Sequence, residues 1–209
     1  MTLFRLSSAV RDDGDSVVAR IRGGVVAVRP LLAGEYDALG AVFDGMSRAS
    51  RYSRYLTGLG GMPASMARAL ADVDGSRHVA WLASVDGEPV GIGRWFRTAP
   101  ETAELAFEVV DRHHERGIGT VLVDVLTTVA AVSGIQRLEA TVLPTNEPSL
   151  RLLERVGLAF RAEDGLLEGS GRLRLLASPR VDRPAVARIA LAAAIHPNEP
   201  CEPAAVGAQ

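Results

Sequence analysis

Ala103-Glu104-Leu105-Ala106-Phe107-Glu108-Val109-Val110, running on through Asp111-Arg112-His113-His114 into Glu115-Arg116-Gly117-Ile118-Gly119-Thr120, is the stretch on which the fold turns. Its first part alternates: Leu105, Phe107 and Val109 fall on one face, and Glu104, Ala106, Glu108 and Val110 on the other, the period of a strand. From Gly117 the period changes, and Leu122, Val125, Leu126, Val129 and Val132 make one stripe of a helix that runs to Ser133 and stops at Gly134. A helix entered in this way presents unpaired backbone N–H groups and partial positive charge, a place for a phosphate. Gly117 and Gly119 allow close backbone approach to a bulky anion, and Arg116 adds a fixed charge. A turn that uses glycine only for packing reads the same way. The dinucleotide fingerprint fits less well, because Leu122 stands where its third glycine belongs.

Strands and helices alternate outward from this point. Upstream, residues 25–29 read as a strand ended by Pro30, and 34–43, 47–56 and 63–73 as helices. Residues 78–85 and 89–97 read as a hairpin around Asp86-Gly87. Downstream, 137–143 reads as a strand, 146–156 as a helix stopped by Gly157, and 158–161 with 168–176 as an antiparallel pair. Asp182 reads as the cap of a helix over 183–194, with packing on the sheet and mediation of a homodimer both open. The expected organisation is an extension over 1–24, a single α/β (α+β) domain over 25–176, and a tail over 177–209 that is loose at its end.

Bulk composition excludes several classes. A net charge of −2 on 209 residues lacks the basic footprint of a nucleic-acid binder. One cysteine, Cys201, permits neither an internal disulfide nor a cysteine zinc site. His113 and His114 adjoin without a partner at metal spacing, and His78 and His196 lie apart, so no metal is expected. No apolar run reaches the ~20 residues of a membrane span, and the acids Asp12, Asp13 and Asp15 argue against a leader, so a cytoplasmic protein is expected. All 23 basic residues are Arg and none is Lys, a bias of the kind GC-rich bacterial codon usage produces.

A second segment, Thr145-Asn146-Glu147-Pro148-Ser149-Leu150-Arg151-Leu152-Leu153-Glu154-Arg155-Val156-Gly157-Leu158, follows in order, and the two together resemble N-acetyltransferases of the GNAT superfamily. Val28-Arg29-Pro30, Ser50-Arg51-Tyr52-Ser53-Arg54-Tyr55 and Ala103-Glu104-Leu105-Ala106-Phe107 further resemble the catalytic domain of Pat-type bacterial protein lysine acetyltransferases. Over residues 25–176 the resemblance implies a GNAT fold: a central, mostly antiparallel sheet of six to seven strands, splayed at the cofactor cleft and flanked by helices, with acetyl-CoA in the gap. It implies that Phe107, Glu108 and Val109 form a bulged strand whose backbone pairs with the pantetheine amides. It implies that His114, Glu115, Arg116, Gly117, Ile118, Gly119 and Thr120 form the pyrophosphate loop, and that Asn146 and Ser149 belong to the motif walling off the pantetheine arm.

The resemblance also implies chemistry. Glu104 is the first candidate for a general base, Glu108 the second, and the Val109 N–H a candidate oxyanion donor. A protein lysine is the expected acceptor. Small amines such as aminoglycosides, polyamines or amino acids are the alternative, and a non-catalytic acyl-CoA-binding module is a rival from another class. Two departures bear on that rivalry: His114 stands where the family usually has Gln or Arg, and Leu153 where many members carry a tyrosine acid, though Pat-type members also lack it. Pat-type enzymes often carry an N-terminal cyclic-nucleotide domain; residues 1–24 are too few for one, so no cAMP control is expected. Arg94 and Arg97 are candidates for the cleft or for solvated surface, and Trp81 and Trp95 for core or cleft wall.

Overall fold

The computed structural model describes residues 15–195. His196, Cys201 and the end of the tail lie outside the described residues, as does most of the stretch weighed above as a leader. In chain order the strands are β1 (Val17–Ile21), β2 (Gly24–Pro30), β3 (His78–Val85), β4 (Glu88–Ala99), β5 (Thr102–Val109), β6 (Arg137–Val142), β7 (Ala159–Glu163) and β8 (Leu166–Arg172). The helices are α1 (Tyr36–Asp44), α2 (Arg48–Tyr55), α3 (Ala64–Ala71), α4 (Ile118–Val132), α5 (Glu147–Glu154) and α6 (Arg183–Ile195). None of the described helices is long and apolar enough to cross a membrane.

The strands form one sheet of eight, in the order β1-β2-β3-β4-β5-β6-β8-β7. Every neighbouring pair is antiparallel except β5 and β6. The additional strand beyond the six to seven expected is β1, inside the stretch read as an extension without a clear period. Val17, Ala19 and Ile21 point inward and alternate with exposed Val18 and Arg20, so the two-residue period is present but spans only five residues at an edge. The last hairpin is also shifted: β8 begins at Leu166 rather than 168 because Asp164-Gly165 makes the turn. Asp164 has φ +48 and Gly165 φ +80, matching Asp86 at +53 and Gly87 at +85 in the β3–β4 hairpin.

Helix α4 covers one face of the sheet, and α1, α2 and α3 the other. Gly93 makes the first packing possible, since a Cβ there would lie 2.7 Å from Leu126 Cδ1. The stripe Leu122, Val125, Leu126 and Val129 is buried as expected, each side chain stabilising by roughly 1.5–3 kcal/mol. Val132, the last of that stripe, is turned outward at the helix end. Helix α6 packs on α4 and against β2. Its anchor is Asp124, a fully buried carboxylate in mid-α4 that accepts from Arg183 Nε (2.9 Å) and Nη2 (2.6 Å) and from the Arg180 and Val181 N–H groups (2.5 and 3.3 Å). Trp81 and Trp95 are core.

Candidate active site

A parallel junction between β5 and β6 opens the site. The two strands pair only at Thr102↔Arg137, Ala103↔Leu138 and Glu104↔Glu139. Beyond Glu104, β5 stays with β4 as far as Val109, while β6 stays with β8 as far as Val142. The strands therefore part, and a cleft of about 900 Å³ opens between them. Its walls are residues 104–109 of β5, Ala140, Thr141 and Val142 of β6, the start of α4, one side of α5 and, across the mouth, α2.

Ladder alternation decides which peptide groups face this cleft. The Val110 N–H donates to the Val90 carbonyl (2.9 Å), so in register the even-numbered residues of β5 spend their peptide groups on β4. Leu105, Phe107 and Val109 then direct theirs toward the missing strand. Two expectations change here. The β4–β5 register is continuous from Ala103 to Val109, with its irregularity at Arg97/Ala99, so no bulge breaks the ladder at Phe107–Val109. Glu108 contributes no free peptide group, because it pairs with Ile92. Phe107 and Val109 keep their N–H groups for the gap, and the Val109 carbonyl accepts from His114 Nε2 (2.9 Å).

The loop after β5 is held in an unusual shape. Glu115 has φ +57 and Gly117 φ +92, both left-handed; only glycine takes the second without strain. The cleft is lined at this end by His113, His114, Glu115, Gly117, Ile118, Gly119 and Thr120, while the open start of α4 supplies unpaired N–H groups and partial positive charge. Arg116 is the exception. Its guanidinium does not line the cleft: it donates to the carbonyls of Arg22 (3.0 Å) and Gly23 (3.2 Å) and to His113 Nδ1 (2.6 Å), and the Arg22 N–H donates back to the Arg116 carbonyl (2.9 Å). The side chain expected to face an anion instead straps the loop to the β1–β2 turn, a strand pair the sequence reading did not contain.

Across the cleft, Asn146 is the N-cap of α5 and accepts from the Ser149 N–H (3.4 Å); both line the cleft. Leu153 is buried and faces the same space. Its aliphatic side chain carries no proton to donate.

The two carboxylates on the even face of β5 differ sharply. Glu104 is exposed, lies where β5 and β6 separate, and its carboxylate makes no hydrogen bond or ion pair among the described residues. The Glu108 side chain is only 2% exposed and uses both oxygens: Oε2 accepts from Arg54 Nε (2.5 Å) and Oε1 from Arg94 Nη2 (3.2 Å). Burial alone raises a carboxyl, but the charges and hydrogen bonds of Arg54 and Arg94 outweigh it and hold Glu108 below its ordinary value. Arg94, weighed above for cleft or surface, is wholly buried behind it, donating also to the Leu70 carbonyl (3.0 Å). Arg97 binds the carbonyls of Ser76, Pro100 and Ser133. No group of three or more His, Cys, Asp or Glu side chains among the described residues is arranged to hold a metal ion.

Sequence reasoning missed the α2 wall: Ser50, Ser53, Arg54 and Tyr55 all line the cleft. The available signal was the stretch over residues 50–55, which carries part of the Pat-type resemblance but from which no site residue was named.

Comparison with known proteins agrees with this geometry. A family model described as the acetyltransferase (GNAT) family matches residues 52–158. Acetyltransferase Pat of Mycolicibacterium smegmatis is 32% identical over 99 residues, 46% of this chain and 30% of that protein, so the chain spans under a third of that relative's length. The crystal structure of the GNAT domain of S. lividans PAT matches with a TM-score of 0.71 and 26% identity, covering 79% of this chain and 100% of that one. The fold likeness extends to Mycobacterium smegmatis RimJ, solved in complex with CoA-disulfide, at a TM-score of 0.54 and 22% identity over 86% of this chain and 95% of that one. With its splayed sheet, its loop into α4 and these relatives, the chain belongs to the GNAT acetyltransferase family.

Proposed function

We propose that this protein transfers the acetyl group of acetyl-CoA to the side-chain amine of a protein lysine, with Glu104 as general base. The observation that carries the reading is the position of Glu104: a free carboxylate at the apex of the gap, on the side of the cleft that α2 borders. Acetyl-CoA would supply the thioester whose carbonyl carbon the amine attacks. Its phosphates fit the start of α4, and its pantetheine arm fits the unpaired edge of β5.

A lysine amine has an ordinary pKa near ~10.4, so bringing it to the neutral form at pH 7 costs about 4.6 kcal/mol. Glu104 offsets part of this by accepting the proton as the N–C bond forms. The N–H groups of Phe107 and Val109 point into the gap, where an oxyanion needs donors. Glu108 is unsuited to the base role, because both its oxygens are occupied and its proton affinity is depressed. Leu153 leaves the departing thiolate to be protonated by water.

The likeness to Pat supports a lysine acceptor, and a small amine is the second reading. A thiol-release assay with lysine peptides and small amines separates the two, while calorimetry with acetyl-CoA measures binding alone. Glu104→Gln is expected to keep acetyl-CoA affinity and lose turnover. Tight binding with no release from any amine would establish an acyl-CoA-binding module instead.

A further inference from the structure

Helix α2 crosses the acceptor side of the cleft without burying a single residue. It is held by the half-buried Tyr55 ring, which packs against Phe43, and by polar attachments. Ser47 caps it and gives its N–H to Asp111 (3.2 Å), and Arg51 donates to the Phe43 carbonyl (3.0 Å) while lying over the Phe43 ring. Arg54 is attached differently. Only its Nε is engaged, by Glu108, and its guanidinium lies 4.9 Å above the Tyr55 ring. Among the described residues Nη1 and Nη2 meet no acceptor. The side chain keeps 17% of its surface exposed and lines the cleft. The guanidinium is thus fixed on one edge and over one face, with its other edge presented to whatever enters. A planar, weakly hydrated fork in that state is preorganised for an oxygen acceptor.

Spacing says which kind of acceptor. Glu104 and Glu108 lie on one face four residues apart, about 13 Å along the strand, and Arg54 sits at Glu108. An α-amine and its own carboxylate are too close together to reach both stations. A lysine, with its long methylene arm between the ε-amine and the main chain, spans that separation once the two enzyme side chains lean in.

We propose that Arg54 is a specificity-determining residue for the acceptor, its free Nη edge hydrogen-bonding the main-chain oxygen of a lysine whose ε-amine lies at Glu104. The proposal rests on the amine-acetylating reading above. The oxygen belongs to a peptide carbonyl in a protein acceptor and to a carboxylate in free lysine derivatives; both are acceptors for the same fork. Glu108 is a positioning residue here, since it orients the Nη edge without touching substrate.

The test compares Nα-acetyl-lysine, Nα-acetyl-lysine N-methylamide and 1-aminopentane as acceptors in the thiol-release assay, with Arg54→Gln and Arg54→Lys beside the parent protein. The parent is expected to favour both lysine derivatives over aminopentane by about tenfold or more, the worth of a hydrogen bond from a charged donor. The preference resides in acceptor KM. Arg54→Gln should bring the three acceptors within about threefold of one another, with acetyl-CoA affinity unchanged. Arg54→Lys keeps the charge beside Glu108 and folds if the glutamine variant does not; it should retain only part of the preference. A preference for the carboxylate over the methylamide identifies free lysine derivatives as the better source of the oxygen, and equal rates identify a peptide. The proposal is overturned if the parent shows no preference for lysine derivatives, or if both variants keep it in full. Acetyl-CoA binding without release from any of the three amines would overturn the transferase reading itself, and this proposal with it.

Discussion

Two glutamates share one face of β5 and end up with opposite chemistry. At one end, Glu104 lies beside the last residues that pair with β6 and keeps an unoccupied carboxylate in the cleft wall. At the other, Glu108 lies where β6 has gone, yet it is the buried one, because α2 and the Arg94 side chain close over it on the face away from α4. The departure of β6 strips partners from the backbone of β5, whereas the helices decide the fate of its side chains. A free carboxylate can take a proton; a carboxylate bound on both oxygens can only hold other groups in place. Asp124 repeats the second pattern on α4, accepting from two peptide N–H groups and Arg183.

Removing Glu108 is the strongest way to break this contrast. Glu108→Ala leaves Arg54 and Arg94 facing each other across a buried site, and is expected to cost about 3–5 kcal/mol of stability. Urea denaturation reads this directly, and a loss under 1 kcal/mol would refute the buried triad. The same residue sets an acid limit. Its carboxyl is depressed on folding, so its stabilisation is complete above the ordinary value of 4.5 and is lost as pH falls through the lower folded value. Stability of the parent should therefore drop more steeply below pH 4.5 than that of Glu108→Gln.

Glu104→Gln comes next and acts on rate instead of stability. Turnover at neutral pH is expected to fall about 100-fold, near 2.7 kcal/mol of barrier, with melting and acetyl-CoA binding unchanged. Full turnover in this variant would remove Glu104 from the base role. If Glu108→Gln lost more turnover than Glu104→Gln while staying folded, the assignment of the two carboxylates would be reversed.

Asp124→Asn is smaller. Its four accepted hydrogen bonds anchor residues 180–183, and replacing a charged acceptor by an amide should cost about 2 kcal/mol. Hydrogen exchange in α6 is expected to quicken while kcat/KM moves by less than about threefold. Unchanged protection in α6 would show that apolar packing alone holds it.

Much of this was legible in the sequence, for identifiable reasons. The strand-to-helix change at Gly117 follows local periodicity, encoded within a few residues, whereas Asn146 and Ser149 were implied by the family resemblance. Glu104 was named from the Pat-type resemblance, and its exposure is seen only in the structure. What stayed hidden depends on contacts far apart in the chain. Arg54 meets Glu108 across 54 positions, Arg183 meets Asp124 across 59, and Arg116 meets Arg22 across 94. A period of two or of 3.6 carries no information about such pairs. The missed β1 strand is an intermediate case: its alternation is real, but five residues among charges are too short to stand above noise.

Arg116 gives the smallest and most discriminating effect. A cation next to a helix N-terminus invites the reading that it touches the pyrophosphate. Its hydrogen bonds, however, go to Arg22, Gly23 and His113 within the protein, so its geometric task is to hold the loop in the left-handed turn at Glu115 and Gly117. Arg116→Ala should cost about 1 kcal/mol of stability, the net value of such bonds, and raise the KM for acetyl-CoA by less than about threefold. A direct phosphate contact predicts a different result: a KM rise of about tenfold or more, together with a flatter dependence of KM on salt once the ion pair is gone. Measuring KM at two salt concentrations in both proteins separates strap from ligand, because a strap alters affinity by the same factor at each.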